Sequence, residues 1–572
     1  MVNGKKGKIV LALCCTVGVL IVALVLIGLV GTEYPITDPG FDGQGMGYVE
    51  PPVFSVQSGF YADPFYLEIS VPEGTTVYYT LDCTDPTAES TPYTGPIYLE
   101  NASAHENTFS MRTDTSACFR TDLVARYSTR VPDYHYQAPD YLIDKCNVVR
   151  AVAIDRLGGK SEIVSKSYYV GLDESYSSLR VVSLVTDPDN LFDFYKGIYV
   201  TGYYFDNFTK VHTLGDVWGF WDANYRQRGA KWERMATLDI SENGTSILSQ
   251  DVGIRIQGGV SRAYACKSLN IFARNKYSGS EVLEYRLFDS DFFPEKVTLS
   301  NGGNRRLTKI NDVLMAECTG DMDFATMKFE PCVLFLDGEY WGFFWMEESY
   351  TAQSVSYYFG VSEDNVLIIK NGEVETGKTA LRQYYDHMRH EVTTRDLSLD
   401  EEYEAVCSMI DIDSFIDYYA VNAYIGRSED WPTGNFALWR TLEKEDGAYG
   451  DCKWRWMLFD SNSRSMNLSL LKENAVTFIR EKDELFASMW RNASFRRAFE
   501  ERILQIADTC FDPDRVTRFI DEYDAAWHPY LADCWTRFHG SANTLEENYV
   551  KEMEGLKEFY SKRKAIVESW FE

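Results

Sequence analysis

Asp430 and Asn435 stand five residues apart in SEDWPTGNFALWR, and Asp460 closes the hydrophobic run WRWMLFD that comes after it. These residue types in this order suit phosphoryl transfer. A carboxylate at Asp430 can accept the proton of an attacking hydroxyl, and the amide oxygen of Asn435 can hold Mg2+. A second carboxylate at a strand end, Asp460, can bridge that cation to a phosphate. The stretch between them, FALWR–turn–WRWMLFD, reads as a β-hairpin. Alone, the spacing carries little weight, because an Asp and an Asn in a surface turn recur in chains of this size.

The elements that must position these residues are legible upstream. In DVGIRIQGGVSRAYACKSLNIFAR, a strand VGIRIQ leads into Gly258-Gly259, then Ser261 and Arg262, then a second strand beginning at Lys267. A glycine turn between strands lets backbone N–H groups approach a phosphate, and a lysine on the next strand can pair its charge. An ordinary hairpin with a surface lysine is the plainer reading of the same block. A helical NDVLMAECT comes next, then the hairpin EPCVLFLDGEYWGFFWMEE, which turns at Asp337-Gly338 and ends on Glu347 and Glu348. DIDSFIDYYAVNAYIGRSED reads as a helix with an apolar stripe leading into Asp430. The last hundred residues carry helical periodicity and oppositely charged i,i+4 pairs, which makes them a helical lobe without catalytic residues.

A competing motif lies at Gly372 to Thr379. GEVETGKT fits the G-x-x-x-x-G-K-[ST] phosphate loop, with Lys378 as its lysine. Glu373 and Glu375 would put two carboxylates inside that cradle, and no run of βαβ units supplies the parallel sheet such loops need. A surface loop is expected.

At 572 residues the chain has room for two or three domains, and a 45% apolar, 15% aromatic composition is globular. A net charge of −30 argues against nucleic acid as a partner, since no broad face could neutralise phosphates. Residues 9–30 form an unbroken apolar run after Lys5, Lys6 and Lys8. That is long enough to span a bilayer with residues 1–8 in the cytoplasm and the bulk of the chain outside. Residues 31–50, rich in Gly, Pro and Asp, read as a spacer. No C-x-x-C pair or G-x-S-x-G motif occurs, so zinc-ribbon, thioredoxin-like and serine-hydrolase chemistries have no support.

From residue 51 to 172, short β-branched and aromatic runs between turn residues imply a small β-sandwich. VFSVQSGFY, VYYTLDCTDPT and NVVRAVAIDRLGGKSEIVSKSYYV resemble the chitobiase/hexosaminidase carboxy-terminal-like domain, with His105 to Tyr141 as an insertion. The resemblance implies an accessory spacer, with carbohydrate contact through Tyr78, Tyr79 and Tyr93 as a second use.

Over residues 173–572, four motifs in order resemble the CotH kinase family (spore-coat protein H-like): GIRIQGGVSRAYACKSLNIFAR, DGEYWGFFWMEE, DWPTGNFALWR and WMLFDSN. The resemblance implies an α+β, atypical protein-kinase-like domain that uses ATP and Mg2+ to phosphorylate Ser or Thr on secreted or surface proteins. It implies Lys267 as the phosphate-pairing lysine beside Gly258, Gly259, Ser261 and Arg262, with Glu348 steadying it. Asp430 becomes the catalytic aspartate, and Asn435, Asp460 and Asn462 the metal ligands. Asn462 replaces the second aspartate of the family's PWDxD segment, and Leu458 and Phe459 replace its proline and tryptophan. Transfer of AMP, or a degenerate surface scaffold, are the alternatives.

Overall fold

Period-2 alternation builds the amino-terminal layers. The computed structural model describes residues 48–117, 136–211, 221–428 and 430–571. Strands β1 (Gly59–Tyr61), β3 (Thr75–Thr80), β4 (Thr91–Pro92), β6 (Asn147–Asp155) and β7 (Val164–Val170) lie in one sheet, and β2 (Phe65–Leu67) pairs with β5 (Ile97–Leu99) in another. Leu67, Ile69, Val77, Leu99, Val149, Ala151 and Tyr168 fill the core of these strands. Tyr79 and Tyr93 lean against that core and Tyr93 accepts a hydrogen bond from Ile69 N–H, whereas Tyr78 is on the other face of β3. The three tyrosines therefore do not form one platform. The exposed aromatic pair here is Tyr66 opposite Tyr98.

These layers are continuous with the rest of the chain, since Val49 to Glu572 pack as one unit. The insertion ties them to it: Thr108 and Ser110 N–H groups donate to the Glu339 carboxylate, and Gln137 N–H donates to Phe538 O. Residues 118–135 of the insertion lie outside the described residues, as does the apolar run 9–30. Among the described residues no helix is long and apolar enough to cross a membrane.

The central element is a sheet that closes on itself. Its strands are β8 (Arg180–Val185), β9 (Arg234–Glu242), β10 (Thr245–Gln257), β11 (Ser268–Phe272), β12 (Lys296–Ser300), β14 (Phe329–Leu336) and β15 (Glu339–Glu348). They run in the order β11-β12-β15-β14-β8-β9-β10, and β10 pairs back onto β11. Within this run β14 and β8 are the parallel neighbours, and β1 pairs with β10, joining the amino-terminal strands into the same sheet. Leu269, Ile271, Val297, Leu299 and Met346 are fully buried on one face of it. The long helix Pro513–His539 crosses β15, where Phe343 and Trp345 pack on Trp527. Gly342 is needed at that crossing, since a Cβ there would come within 2.8 Å of Cys534 Sγ.

A second sheet, β13 (Ala325–Thr326), β16 (Val366–Lys370), β17 (Glu373–Thr376), β18 (Ala437–Thr441) and β19 (Arg455–Leu458), has the order β13-β19-β18-β16-β17. Helix Ile412–Tyr424, capped by the Asp411 side chain, is buried along most of its length, with Phe415 against Trp456 of β19. Helices Ala493–Asp508, Pro513–His539 and Leu545–Glu568 complete the carboxy-terminal part with the expected periodicity. The architecture is mixed α+β.

Candidate active site

The hairpin β18–β19 explains how Asn435 and Asp460 meet. Ala437 pairs with Met457, so the residues just before β18 and just after β19 emerge at the same end. Both take left-handed backbone, φ +48° for Asn435 and +50° for Asp460, which Asn and Asp adopt more readily than other side chains. One buried cation fixes the pair. The Arg427 guanidinium donates to Asp460 O at 2.7 Å, to Asn435 O at 3.2 Å and to Asn422 Oδ1 at 3.2 Å. Asp430 completes the group: its Oδ2 accepts from Asn435 Nδ2, the Ser463 hydroxyl bonds the same carboxyl, and Oδ1 is buried outside the direct hydrogen bonds. Burial raises the Asp430 carboxyl, with Arg427 opposing. Burial and the neighbouring Asp312 push Asp460 up to about 6.

Facing this group is one side of the closed sheet. Register places Arg255, Asn270, Thr298 and Glu347 directly opposite one another across β10, β11, β12 and β15, so all four share a face. Lys296 lies two residues from Thr298 on the same face, opposite Phe272. Burial and the nearby Lys370 ammonium bring Lys296 down to about 8. Burial, and then Asp312, push Glu347 up to about 8, with Lys370, Asp460 and Lys296 also in range. Lys370 ends β16 and sits 4.2 Å over the Phe459 ring. Arg255, Lys296 and Lys370 thus line a path toward Asp460, with the cationic charge a polyphosphate requires.

Lys267 and Glu348 are not part of that path. Lys267 shares the parity of Leu269 and Ile271, which is the apolar face, and it is fully buried. Its ammonium donates to Arg262 O (2.7 Å) and Tyr264 O (2.6 Å) and lies 4.0 Å over the Tyr225 ring. Glu348 lies opposite Val297, which lies opposite Ile271. Lys267 is four residues further along, about 13 Å at strand rise. Glu348 instead accepts from Lys328 N–H and has the Tyr358 hydroxyl beside it. Lys267 and Glu348 therefore do not pair; the lysine and glutamate on the cleft face are Lys296 and Glu347.

The glycine turn adopts left-handed backbone, with Gly258 at φ +112°. A Cβ there would sit 2.2 Å from Ser261 Oγ. Arg262 is spent on the turn itself, donating to Gly258 O, Tyr225 O and Gln227 O. Arg226 and Arg228 donate to Gly259 O and Gly258 O, so the turn is braced by guanidinium groups. Residues 372–379 form no phosphate loop. β16 and β17 are an antiparallel hairpin turning at Asn371-Gly372, Glu373 pairs with Arg382, and Lys378 is exposed.

Asn462 faces away from a metal role. Its Oδ1 accepts from Asn304 N–H, and its Nδ2 donates to Asp312 Oδ2 at 2.6 Å. Asp312, on helix Asn311–Thr319, also accepts from the N–H and hydroxyl of Ser461. An amide therefore suits 462: an aspartate would set its carboxylate directly against that of half-buried Asp312. Asn462→Asp should cost about 2–3 kcal/mol of stability at neutral pH. A thermal melt checks this, and an unchanged or higher midpoint would contradict it.

The donor set suits a hard cation. Asn435 and Asp460 offer oxygen ligands, and the unpartnered Asp430 Oδ1 is an orphaned polar atom at the same place. Among the described residues no group of three or more His, Cys, Asp or Glu is gathered closely enough to hold a metal alone. Phosphate oxygens would have to complete such a site.

Glycine turn, lysine strand, helix, hairpin, then Asp-x-x-x-x-Asn and a strand-end Asp is the order of parts in the protein kinases. The chain belongs to the CotH kinase protein family, whose model matches residues 254–567. Residues 67–168, the segment resembling the chitobiase-type domain, match the family model described as Fn3 associated. No curated protein matches the chain.

Proposed function

We propose that this protein transfers the γ-phosphoryl group of ATP, in the presence of Mg2+, to Ser or Thr hydroxyls of secreted or surface proteins. The supporting observation is the buried, unpartnered Oδ1 of Asp430, set beside Asn435 and Asp460 and facing the cationic side of the closed sheet. Asp430 is the base: Asn435 and Ser463 hydrogen-bond its carboxyl and orient it, and Oδ1 receives the acceptor proton. Asn435 and Asp460 would hold Mg2+, which when bound neutralises charge on the transferring phosphoryl group. Lys296 pairs with the inner phosphates, while the Gly258-Gly259 turn offers backbone N–H groups above them. Arg427 acts through Asn435 and Asp460 as a positioning residue.

Asn462 does not argue for a degenerate scaffold, since its amide is matched to Asp312. The proposal places the chain outside the cell with residues 9–30 as anchor, which the run of lysines before that stretch motivates. External protease on intact cells should then digest most of the chain; full-length protein protected from it would contradict the anchor. Nucleotide use is tested by melting. ATP with Mg2+ should raise the midpoint of the wild-type chain, and Asp460→Asn should lose the Mg2+-dependent part of that rise. An equal rise in both would remove Asp460 from the site.

A further inference from the structure

Behind the cleft, a cavity of about 510 Å3 opens between helix Asn311–Thr319, helix Ala352–Phe359 and the start of β14. Its walls are mostly apolar, among them Val313, Ala316, Met327, Phe359, Met457 and Phe519. None of Asp430, Asp460, Lys296 or Glu347 lines it. The volume is within the range of small-molecule sites and far larger than a few ordered waters need.

One charged group stands out in this wall. Glu348 is 2% exposed, lines the cavity, and its Oε1 has no hydrogen-bond partner. Oε2 accepts a long bond, 3.3 Å, from Lys328 N–H. A buried carboxyl oxygen left unpaired is costly, and apolar walls offer little to anchor a bridging water. The charged groups around it are of both signs, and Lys328 is the one that acts on Glu348. Glu330 on β14, Glu317 on helix Asn311–Thr319 and the rim residue Asp289 line the same space, with Lys328 as the cation; the Tyr358 hydroxyl bonds the Glu348 carboxyl from one side, and Tyr350 is a neutral neighbour. Glu330 is answered by Arg180 and Glu317 by Arg515, and the Tyr350 hydroxyl donates to Ala325 O and Leu458 O.

We propose that this cavity is a binding site for a small organic cation, an apolar body carrying an amidinium or ammonium group that pairs with Glu348. The apolar walls bury the body, and the unpartnered Oε1 takes the N–H donors. The site is independent of the phosphoryl-transfer reading, because it lies on the opposite face of β15 from Glu347.

Calorimetric titration of the full chain with benzamidine, and with benzamide as its neutral analogue, tests this. Benzamidine should bind with sub-millimolar affinity at pH 8 and benzamide at least tenfold more weakly. Burial pushes Glu348 up to about 7, so the carboxylate is largely ionised at pH 8 and largely protonated at pH 6. Benzamidine affinity should therefore fall about tenfold between them. The near-isosteric Glu348→Gln should weaken benzamidine at least tenfold, and Ala316→Leu, which fills the space, should weaken both compounds. Absence of benzamidine binding at both pH values, equal binding of the two compounds, or unchanged affinity in Glu348→Gln would each overturn the proposal.

Discussion

Lys296→Met is expected to lower kcat/KM for ATP about 100-fold or more while leaving the fold intact. Lys296 sits on the cleft face with its ammonium in the field of Lys370 and Glu347, and burial has already brought it down to about 8. A phosphate there would restore its full charge, and loss of one such preorganised cation typically costs about 3–4 kcal/mol of transition-state stabilisation. Lys267→Met should behave differently. It leaves Arg262 O and Tyr264 O without their donor and removes a cation from the Tyr225 ring, so its first effect is a lower melting temperature, about 3 kcal/mol of stability. Lys378→Ala, on an exposed hairpin, should change neither quantity. Steady-state kinetics and melts on the three variants separate these roles. Full activity in Lys296→Met would remove it from the site.

Asp430→Asn should reduce kcat about 1000-fold with ATP affinity nearly unchanged, the size expected for loss of a positioned base. The pH behaviour of the metal site gives a second reading of the same cluster. Asp460 has a folded-state value near 6, above its ordinary one, so the empty protein gains from protonating it and loses that gain as pH rises through about 6. A bound cation needs the ionised form. Apparent Mg2+ affinity should therefore fall about fivefold from pH 6 to pH 5, with proton uptake on ion release approaching one at the lower pH. In Asp460→Asn that slope should vanish; an unchanged slope would assign the proton elsewhere.

The hairpins and helices around the site were legible because their signals are local. Asp337-Gly338 and the FALWR–WRWMLFD turn carry hairpin chemistry, and Asp411 caps the helix that leads to Asp430. Asp430, Asn435 and Asp460 come together as their order implied. The partner lysine is easily mistaken because KSLNIF and KVTLS both open on lysine, and only strand parity separates them. In KVTLS, Lys296 alternates with Val297 and Leu299 and so belongs with Thr298 on the polar face. In KSLNIF, Lys267 keeps step with Leu269 and Ile271. That signal was present. Glu347 and Glu348 were harder, since EYWGFFWMEE is buried on both faces and shows no alternation. Arg427, Lys370 and Asp312 act through tertiary contacts that no spacing in the chain encodes. Closure of the sheet by β10 onto β11 likewise depends on pairings invisible in either strand alone.

If Asp430 directs transfer of the terminal phosphoryl group, the labelled phosphate must come from the γ position. The full chain should be incubated with Mg2+ and a Ser-rich acceptor protein, in parallel with γ-labelled and α-labelled ATP. Label from γ-labelled ATP alone, found on Ser or Thr and lost in Asp430→Asn, is the result predicted here. Label from α-labelled ATP would mean transfer of AMP, and label from neither across a broad acceptor panel would contradict the enzymatic reading.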